Sequence, residues 1–379
     1  MTSENGKGEL DEARAVPLFM SEIEQFGGAE RSILALGRWL HQQGHPVYLL
    51  TYADHAGMEQ YAGFPLQKVE LKPGNSVRSK IAALRKHFAA KPRSAPPPIV
   101  SGYQPALHAT LAGIGKFHCL MHDTPALFGD TDLSWKQRAR QALSNRLIGF
   151  GMRRGHGTCI VTSNFLQSEC FRDFGIEAEI ARMGGLQGHA FRRRPVTTQL
   201  RMLSVCRIEP NKRIDWMLDA LASLEGAPVP LSSRVDWRLD LAGRGSLLQS
   251  MTSRARELGL ADRVTFHGFV SDAEVEQLYD NAHLFLMPAV QGYGIPAIEA
   301  LQRGIPVLLH RESGVSDLLL DTPWAQVLHG GKEELRPKLA AMLDWLIEGG
   351  QLSAPMPAEL PTEASWAKRV AMLCHYVAG

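Results

Sequence analysis

At 379 residues the chain is long enough for two or three domains, each with a full core, which excludes a peptide hormone or a lone binding module. Hydrophobic residues make up 45% and charged residues 21%, with 35 Gly and 22 Pro; these are ordinary values for a soluble globular enzyme and exclude disorder and collagen-like structure. The 41 Lys and Arg against 39 Asp and Glu leave a formal charge of +2, too little to make nucleic acid the expected main partner.

Short apolar runs alternate with segments of helical period, the pattern of a parallel sheet with crossover helices. In the first half the pattern predicts strands at Val16 to Met20, Pro46 to Thr51, Pro98 to Ser101, Phe117 to His122, Thr158 to Thr162 and Glu179 to Met183. It predicts helices at Ala29 to Gln43, Val77 to Ala90, Trp135 to Phe150 and Phe165 to Phe174. The series then restarts, with strands at Met202 to Cys206, Trp237 to Ala242, Val264 to His267, Leu284 to Met287 and Pro306 to Leu309. Helices are expected at Arg213 to Leu224, Leu247 to Leu258, Asp272 to Asp280 and Ile295 to Arg303. Two doubly wound sheets in tandem follow. The polar segment Arg192 to Leu200 separates them, and Thr362 to Val377 reads as a lone closing helix that feeds no strand.

No apolar run approaches the roughly 18 residues of a membrane span, and Met1 to Arg14 is polar and acidic where a signal peptide is basic and then apolar. The expected location is the cytosol. Five cysteines, Cys119, Cys159, Cys170, Cys206 and Cys374, have no short paired spacing, so all five are expected as buried small apolar side chains.

Ligands of open parallel sheets sit at the carboxyl ends of strands, where the informative residues are expected to gather. The strand ending at Cys206 is followed by Arg207 and Lys212, with Pro210 and Asn211 turning into a helix. Two cations at a helix amino terminus suit a diphosphate; two solvated cations at a helix start are the alternative. After Met287 come Gly292, Gly294 and Pro296, with Glu299 one turn inside the next helix. Glycines let backbone approach a ligand closely, and an acid one turn in can accept two ribose hydroxyls; a tight turn with a solvated Glu is the plainer reading.

The run Gln291, Gly292, Tyr293, Gly294, Ile295, Pro296, Ala297, Ile298, Glu299, Ala300 resembles the motif of two glutamates eight positions apart in retaining glycosyltransferases of the GT-B group, family 4. The resemblance continues in Ser204 to Lys212, Leu241 to Gly245 and Val264 to Val270. In the first half it rests on Gly27, Gly28, Ala29, Glu30 and Arg31, on Gly44 to Val47, and on His122 with Asp123. It implies two Rossmann-like domains facing across a cleft, at 1–194 and 195–361, with 362–379 crossing back onto the first. It further implies transfer of a sugar from a sugar nucleotide to a hydroxyl acceptor with retention. By the resemblance Arg207 and Lys212 meet the donor diphosphate, Glu299 the ribose, Phe269 and Val270 the base, and Gln291, Gly292, Tyr293, Gly294 and Ile295 the donor sugar region. Gly27 and Gly28 fall against the donor phosphate and acceptor, and His122 against the transferred sugar; bottom-up, the glycine turn would serve any anion. No cofactor and no metal is expected. A sugar-nucleotide 2-epimerase or hydrolase on the same architecture, and a donor-binding protein without catalysis, are the rival readings.

Two positions depart from the family pattern. Gln291 stands where the family has Glu, removing a charge beside the sugar, and Gly184, Gly185 and Gln187 replace an Asn-Gly and Asp ahead of Phe191. Asp130, Thr131 and Asp132 look like the metal triplet of the other large glycosyltransferase fold, but their position before a helix reads as an N-cap with helix-start acids.

Charge is unevenly spread. Leu71 to Ser168 holds 14 basic residues and three acids, a net of +11, so one region is expected to face an anionic partner: an anionic or lipid-linked acceptor, or an anionic membrane at its inner face. On a helical wheel Trp135, Ala139, Leu143, Leu147 and Phe150 share a face with Arg146, flanked by Lys136 and Arg140. Such a face suits either a lipid surface or packing on the sheet with solvated cations.

Overall fold

The computed structural model describes residues 12–124, 134–185, 190–319, 322–355, 357 and 360–377. The chain divides into two compact units. One comprises Met1–Thr162, Leu166–Arg182 and Glu363–Gly379, and the other Ser163–Phe165 and Met183–Thr362.

The first unit is built on a parallel sheet of seven strands in the spatial order Gln67–Glu70, Val47–Thr51, Val16–Phe19, Ile99–Ser101, His118–Leu120, Cys159–Val161, Glu179–Ile180. The central strands are buried at every residue, which is why they read as continuous apolar runs and not as alternating ones. The chain leaves Val16–Phe19 toward Val47–Thr51 on one side and later resumes at Ile99–Ser101 on the other. The strand order therefore reverses at Val16–Phe19, and the loops after Phe19 and Ser101 flank a switch point where such sheets bind ligands.

The second unit repeats this design with six parallel strands ordered Val264–Gly268, Asp236–Ala242, Gln199–Val205, Leu284–Met287, Val307–His310, Ala325–Leu328. Its switch point lies between Gln199–Val205 and Leu284–Met287. The loops that leave those two strands carry Arg207 with Lys212, and Gln291 with Gly294. A core of Met202, Leu239, Leu241, Leu284, Leu286 and Leu308 from the strands, with Leu218, Leu221 and Leu339 from the helices, holds them in place.

The predicted strands and helices form with ends shifted by a few residues, and elements beyond the prediction complete the sheets. Gln67–Glu70 is half-exposed along its length and has the sequence QKVE, so it carries no apolar run. The helix Tyr103–Ala112 opens with Pro105, which the first turn tolerates because amides there have no intrahelical acceptor. Ala325–Leu328 and the helix Leu335–Ile347 finish the second unit, and the helix from Trp135 runs on to Gly155.

The division between units falls at Arg182 and Met183, earlier than the expected 194/195, because the intervening segment is fastened to the second unit. Tyr293 Oη donates to Met183 O at 2.7 Å, and Arg193 donates to Gln351 O and Ala354 O, both at 2.6 Å. The Phe191 ring meets Trp324 edge-on. The helix Glu363–Leu373 belongs to the first unit, burying Trp366, Ala367 and Val370 beside Gly28–Gln42, where Arg31 Nε donates to Glu363 Oε1 at 2.8 Å.

Candidate active site

At the carboxyl end of Gln199–Val205 the backbone stays paired with the neighbouring loop: Cys206 N donates to Ala242 O and Ile208 N to Arg244 O. Two glycines permit this. A Cβ on Gly243, at φ +141, would lie 1.9 Å from Cys206 O, and one on Gly245 would lie 2.2 Å from Ile208 O. Arg207 is thereby held on a fixed backbone with its side chain exposed. Pro210–Lys212 forms a 3₁₀ turn, and Arg213 then takes a left-handed conformation before the helix Ile214–Glu225 begins. Burial pushes the Cys206 thiol up, while the charges of Lys212 and Arg207 both act on it in the opposite direction; the two cations share one electrostatic neighbourhood.

The loop after Met287 is tied to this turn. Val290 N donates to Asn211 O at 2.8 Å, Asn211 Nδ2 returns a bond to Val290 O at 3.0 Å, and Lys212 Nζ donates to Gln291 Oε1 at 2.5 Å. The Gln291 amide donates in turn to Ser313 Oγ at 3.0 Å and to Met287 Sδ at 2.9 Å. Ser313 is fully buried and donates to Tyr293 O at 2.9 Å. Gly294 sits at φ +120, and a Cβ there would meet Gln291 Nε2 at 2.5 Å and Met287 Cε at 2.6 Å, so conformation and space both require glycine. Gly292 O accepts from Ser163 Oγ at 2.9 Å, and Gly314 passes so close to that carbonyl that a Cβ would lie 2.0 Å away.

Ile295 opens the helix Ile295–Gln302, with Pro296 in its first turn. Glu299 is only 8% exposed and accepts from the buried Tyr279 hydroxyl at 3.4 Å; Arg303, below it, donates to Glu299 O and is paired with Glu276 at 2.6 Å. Gly185 runs against this helix, where a Cβ would lie 3.1 Å from Glu299 Cγ. Gly185 of this departure thus permits close passage of backbone beside Glu299, whereas a Cβ on Gly184 would lie 2.2 Å from the Thr362 backbone; Gln187 lies outside the described residues. Phe269 follows the edge strand Val264–Gly268 and is 70% exposed, with the Arg244 guanidinium 4.9 Å from its ring centre; Val270 beside it is half-buried.

In the first unit, Gly27 caps the helix Gly28–Gln42, and its N–H donates to Glu30 Oε2 at 3.1 Å. The turn expected to serve an anion thus already holds a carboxylate, whose pKa burial raises against the lowering effect of that bond. No atom would meet a Cβ within 4 Å at Gly28. His122 follows the strand His118–Leu120, half-buried, and shares a hydrogen bond of 2.9 Å with Ser101 Oγ from the adjacent strand end. Burial pushes its imidazole down to about 4, so it is neutral at neutral pH.

The structure therefore gathers Arg207, Lys212, Gln291, Gly292, Tyr293, Gly294 and Ile295 at one switch point, with Glu299 a turn deeper in the helix they lead into. It adds three side chains the sequence reading missed: Asn211 and Ser313, which fix the two loops, and Ser101 beside His122. Ser313 and Gly314 follow Val307–His310, so a Ser-Gly pair just beyond a predicted strand is the available signal; Asn211 reads from the sequence only as a turn residue.

All five cysteines are free thiols; four are buried, whereas Cys206 is partly exposed. Asp130, Thr131 and Asp132 lie outside the described residues. Among the described residues no group of three or more His, Cys, Asp or Glu side chains is arranged to hold a metal ion, and no helix is long and apolar enough to cross a membrane.

Residues 189–344 match the family described as Glycosyl transferases group 1. The GDP-mannose-dependent alpha-(1-6)-phosphatidylinositol monomannoside mannosyltransferase of Mycobacterium tuberculosis is 28% identical over 201 residues, 47% of this chain and 50% of the relative. The chain spans half or less of the length of the curated relatives it matches. Among solved structures, WaaG, a glycosyltransferase involved in lipopolysaccharide biosynthesis, superposes with a TM-score of 0.69 at 17% identity, covering 96% of this chain and all of that one. Anabaena HepE in complex with UDP superposes with a TM-score of 0.67 at 17% identity, covering 94% of each chain. The chain has the GT-B fold, two Rossmann-like α/β domains, and its second half carries a Glycosyl transferases group 1 domain.

Proposed function

We propose that the protein is a retaining glycosyltransferase of family 4 that moves a sugar from a nucleoside diphosphate donor to a hydroxyl acceptor. The observation that carries this reading is the convergence of Arg207, Lys212 and the Gln291–Ile295 loop at the switch point of the second sheet, inside the segment that matches the group 1 family. The chemical task is stabilising a leaving diphosphate. Arg207 and Lys212 supply positive charge where negative charge develops, held by loops whose geometry is fixed before the donor arrives. Glu299 takes the ribose hydroxyls, Phe269 and Val270 border the base, and the loop from Gln291 to Ile295 borders the sugar. Gly27, Gly28 and His122 contribute from the first domain, with the neutral imidazole offering a hydrogen bond to the sugar and no charge.

Retention is assigned to attack on the face the diphosphate leaves, with the leaving phosphate oxygen taking the acceptor's proton. No metal and no cofactor enters this scheme, the cytosol is its setting, and the hydroxyl belongs to a glycan, lipid-linked or small-molecule acceptor. Incubation with UDP-, GDP- and ADP-sugars and an acceptor panel, with product anomers assigned by NMR, tests the proposal. An α-linked product from an α-linked donor, formed equally with and without EDTA, is expected. Only free sugar or only a 2-epimer would replace the proposal with hydrolase or epimerase chemistry, and binding without turnover with a donor-binding protein.

A further inference from the structure

The helix Trp135–Gly155 turns its apolar arc outward. Trp135 is 74%, Leu143 60% and Phe150 55% exposed, while the face turned inward is Asn145, Ile148, Gly149 and Met152. The inward face is set by close approach: a Cβ on Gly149 would lie 2.1 Å from Phe174 O, and one on Gly155 would lie 1.9 Å from Gly115 O. Packing on the sheet, one of the two readings open for the apolar arc, is therefore taken by a different side of the helix.

Single exposed apolar residues are ordinary, but three large ones along one helix face, interleaved with cations, are not. The helix holds Lys136, Arg138, Arg140, Arg146, Arg153 and Arg154 and no acid. Lys136 lies over the Trp135 ring at 5.7 Å and Arg154 over the Phe150 ring at 6.0 Å, so charge and aromatic surface are presented together. Arg138, Arg140 and Arg146 are exposed as well; Arg153 is also exposed but is engaged within the unit, donating to Phe174 O and Gly175 O.

We infer that this face docks the protein on an anionic lipid bilayer. The charge complementarity selects an anionic partner, and the apolar arc selects lipid among anionic partners. A soluble polyanion would satisfy the arginines and leave Trp135, Leu143 and Phe150 in water. A bilayer interface takes both, with the aromatic rings at headgroup depth and the arginine stems snorkelling to the phosphates.

The test is cosedimentation of the intact protein with vesicles of phosphatidylcholine alone and with phosphatidylglycerol at about one lipid in three, a content that gives a strongly negative surface. Binding to the anionic vesicles at least about tenfold above the neutral ones is expected, weakening as salt is raised above 0.1 M, where the Debye length is about 10 Å. Lys136→Gln/Arg140→Gln/Arg146→Gln should abolish the preference. Trp135→Ser/Phe150→Ser should weaken binding by about tenfold or more at unchanged charge. Both variants alter solvent-facing side chains, and an unchanged circular dichroism melt shows that each is folded. Equal binding to neutral and anionic vesicles would overturn the inference. So would anionic binding that Trp135→Ser/Phe150→Ser leaves intact and heparin matches, which would assign the face to a soluble polyanion.

Discussion

Lys212 meets an amide at a position where a carboxylate would fit. The Gln291 oxygen accepts from the ammonium at 2.5 Å and its nitrogen is spent on Ser313 and Met287, so the contact orients the lysine without cancelling its charge. A diphosphate arriving at the switch point would meet a placed cation, and removal of it should cost transition-state stabilisation more than folding. Lys212→Ala is therefore expected to lose at least ~2.7 kcal/mol of barrier stabilisation, about a hundredfold in kcat, with the unfolding midpoint little changed. Transfer at the wild-type rate would remove Lys212 from the site. Gln291→Glu makes the complementary case. It would pair the lysine with an anion and lose the amide donor to Ser313, so affinity for the nucleoside diphosphate should fall by about tenfold in calorimetric titration. The same substitution restores negative charge beside the sugar, which favours a cationic transition state with neutral donors and repels a uronic acid donor. Neutral and uronic acid donors assayed side by side should thus move in opposite directions. If neither rate changes, position 291 does not sense the sugar's charge.

Among the elements, the helix Trp135–Gly155 separates what pattern can and cannot disclose. Its start was legible because Trp135 opens a helical period, but its cap was not: the N-cap is Ser134, in a capping box with Gln137, and not the Asp130 to Asp132 segment the sequence points to. Nor was its orientation: the larger apolar residues form the arc of Trp135, Leu143 and Phe150, while the buried face carries only Ile148 and Met152 as apolar side chains beside Asn145, with a close approach at Gly149 that no hydrophobic pattern reveals. A methyl group at Gly149 would collide with a backbone carbonyl, which cannot rotate away as a side chain can. Gly149→Ala should consequently destabilise the first unit by about 1–3 kcal/mol, seen as a lower urea midpoint, and Ala139→Gly on the exposed arc by about 1 kcal/mol at most. Equal effects of the two substitutions would mean that the glycine face is not what seats the helix. Strands show the same division. Buried strands such as Val47–Thr51 announced themselves as apolar runs, while Gln67–Glu70, at the sheet edge, had no such run to show.

Across the whole molecule, two sheets with the same strand reversal explain why the second-half candidates were found together: Arg207, Lys212 and the loop from Gln291 follow the two strands that flank the switch point, and strand order can be anticipated from a βαβ pattern. Partners such as Ser313 and Asn211 were hidden because their roles rest on bonds between segments far apart in sequence. The same long-range packing buries histidines whose titration bears on acid stability. His118 is fully buried, accepts from Thr158 N at Nδ1 and lies 6.0 Å from the Tyr376 ring; burial pushes its pKa down to about 4, with the charges of Lys116 and His375 acting in the same direction. In the unfolded chain it titrates near 6.5. Between those values the unfolded state binds a proton that the folded state refuses. Stability from this residue is therefore complete above about pH 6.5 and is lost as pH falls toward 4, by about 3 kcal/mol in total. His122, also lowered to about 4 by burial, acts in the same direction over the same window. His118→Gln keeps an acceptor for the Thr158 amide but cannot titrate, so the fall in the urea midpoint of the first unit between pH 6.5 and 4 should be shallower than in the wild type. A variant that loses stability along the same curve as the wild type would show that His118 is not the group whose protonation opposes the fold.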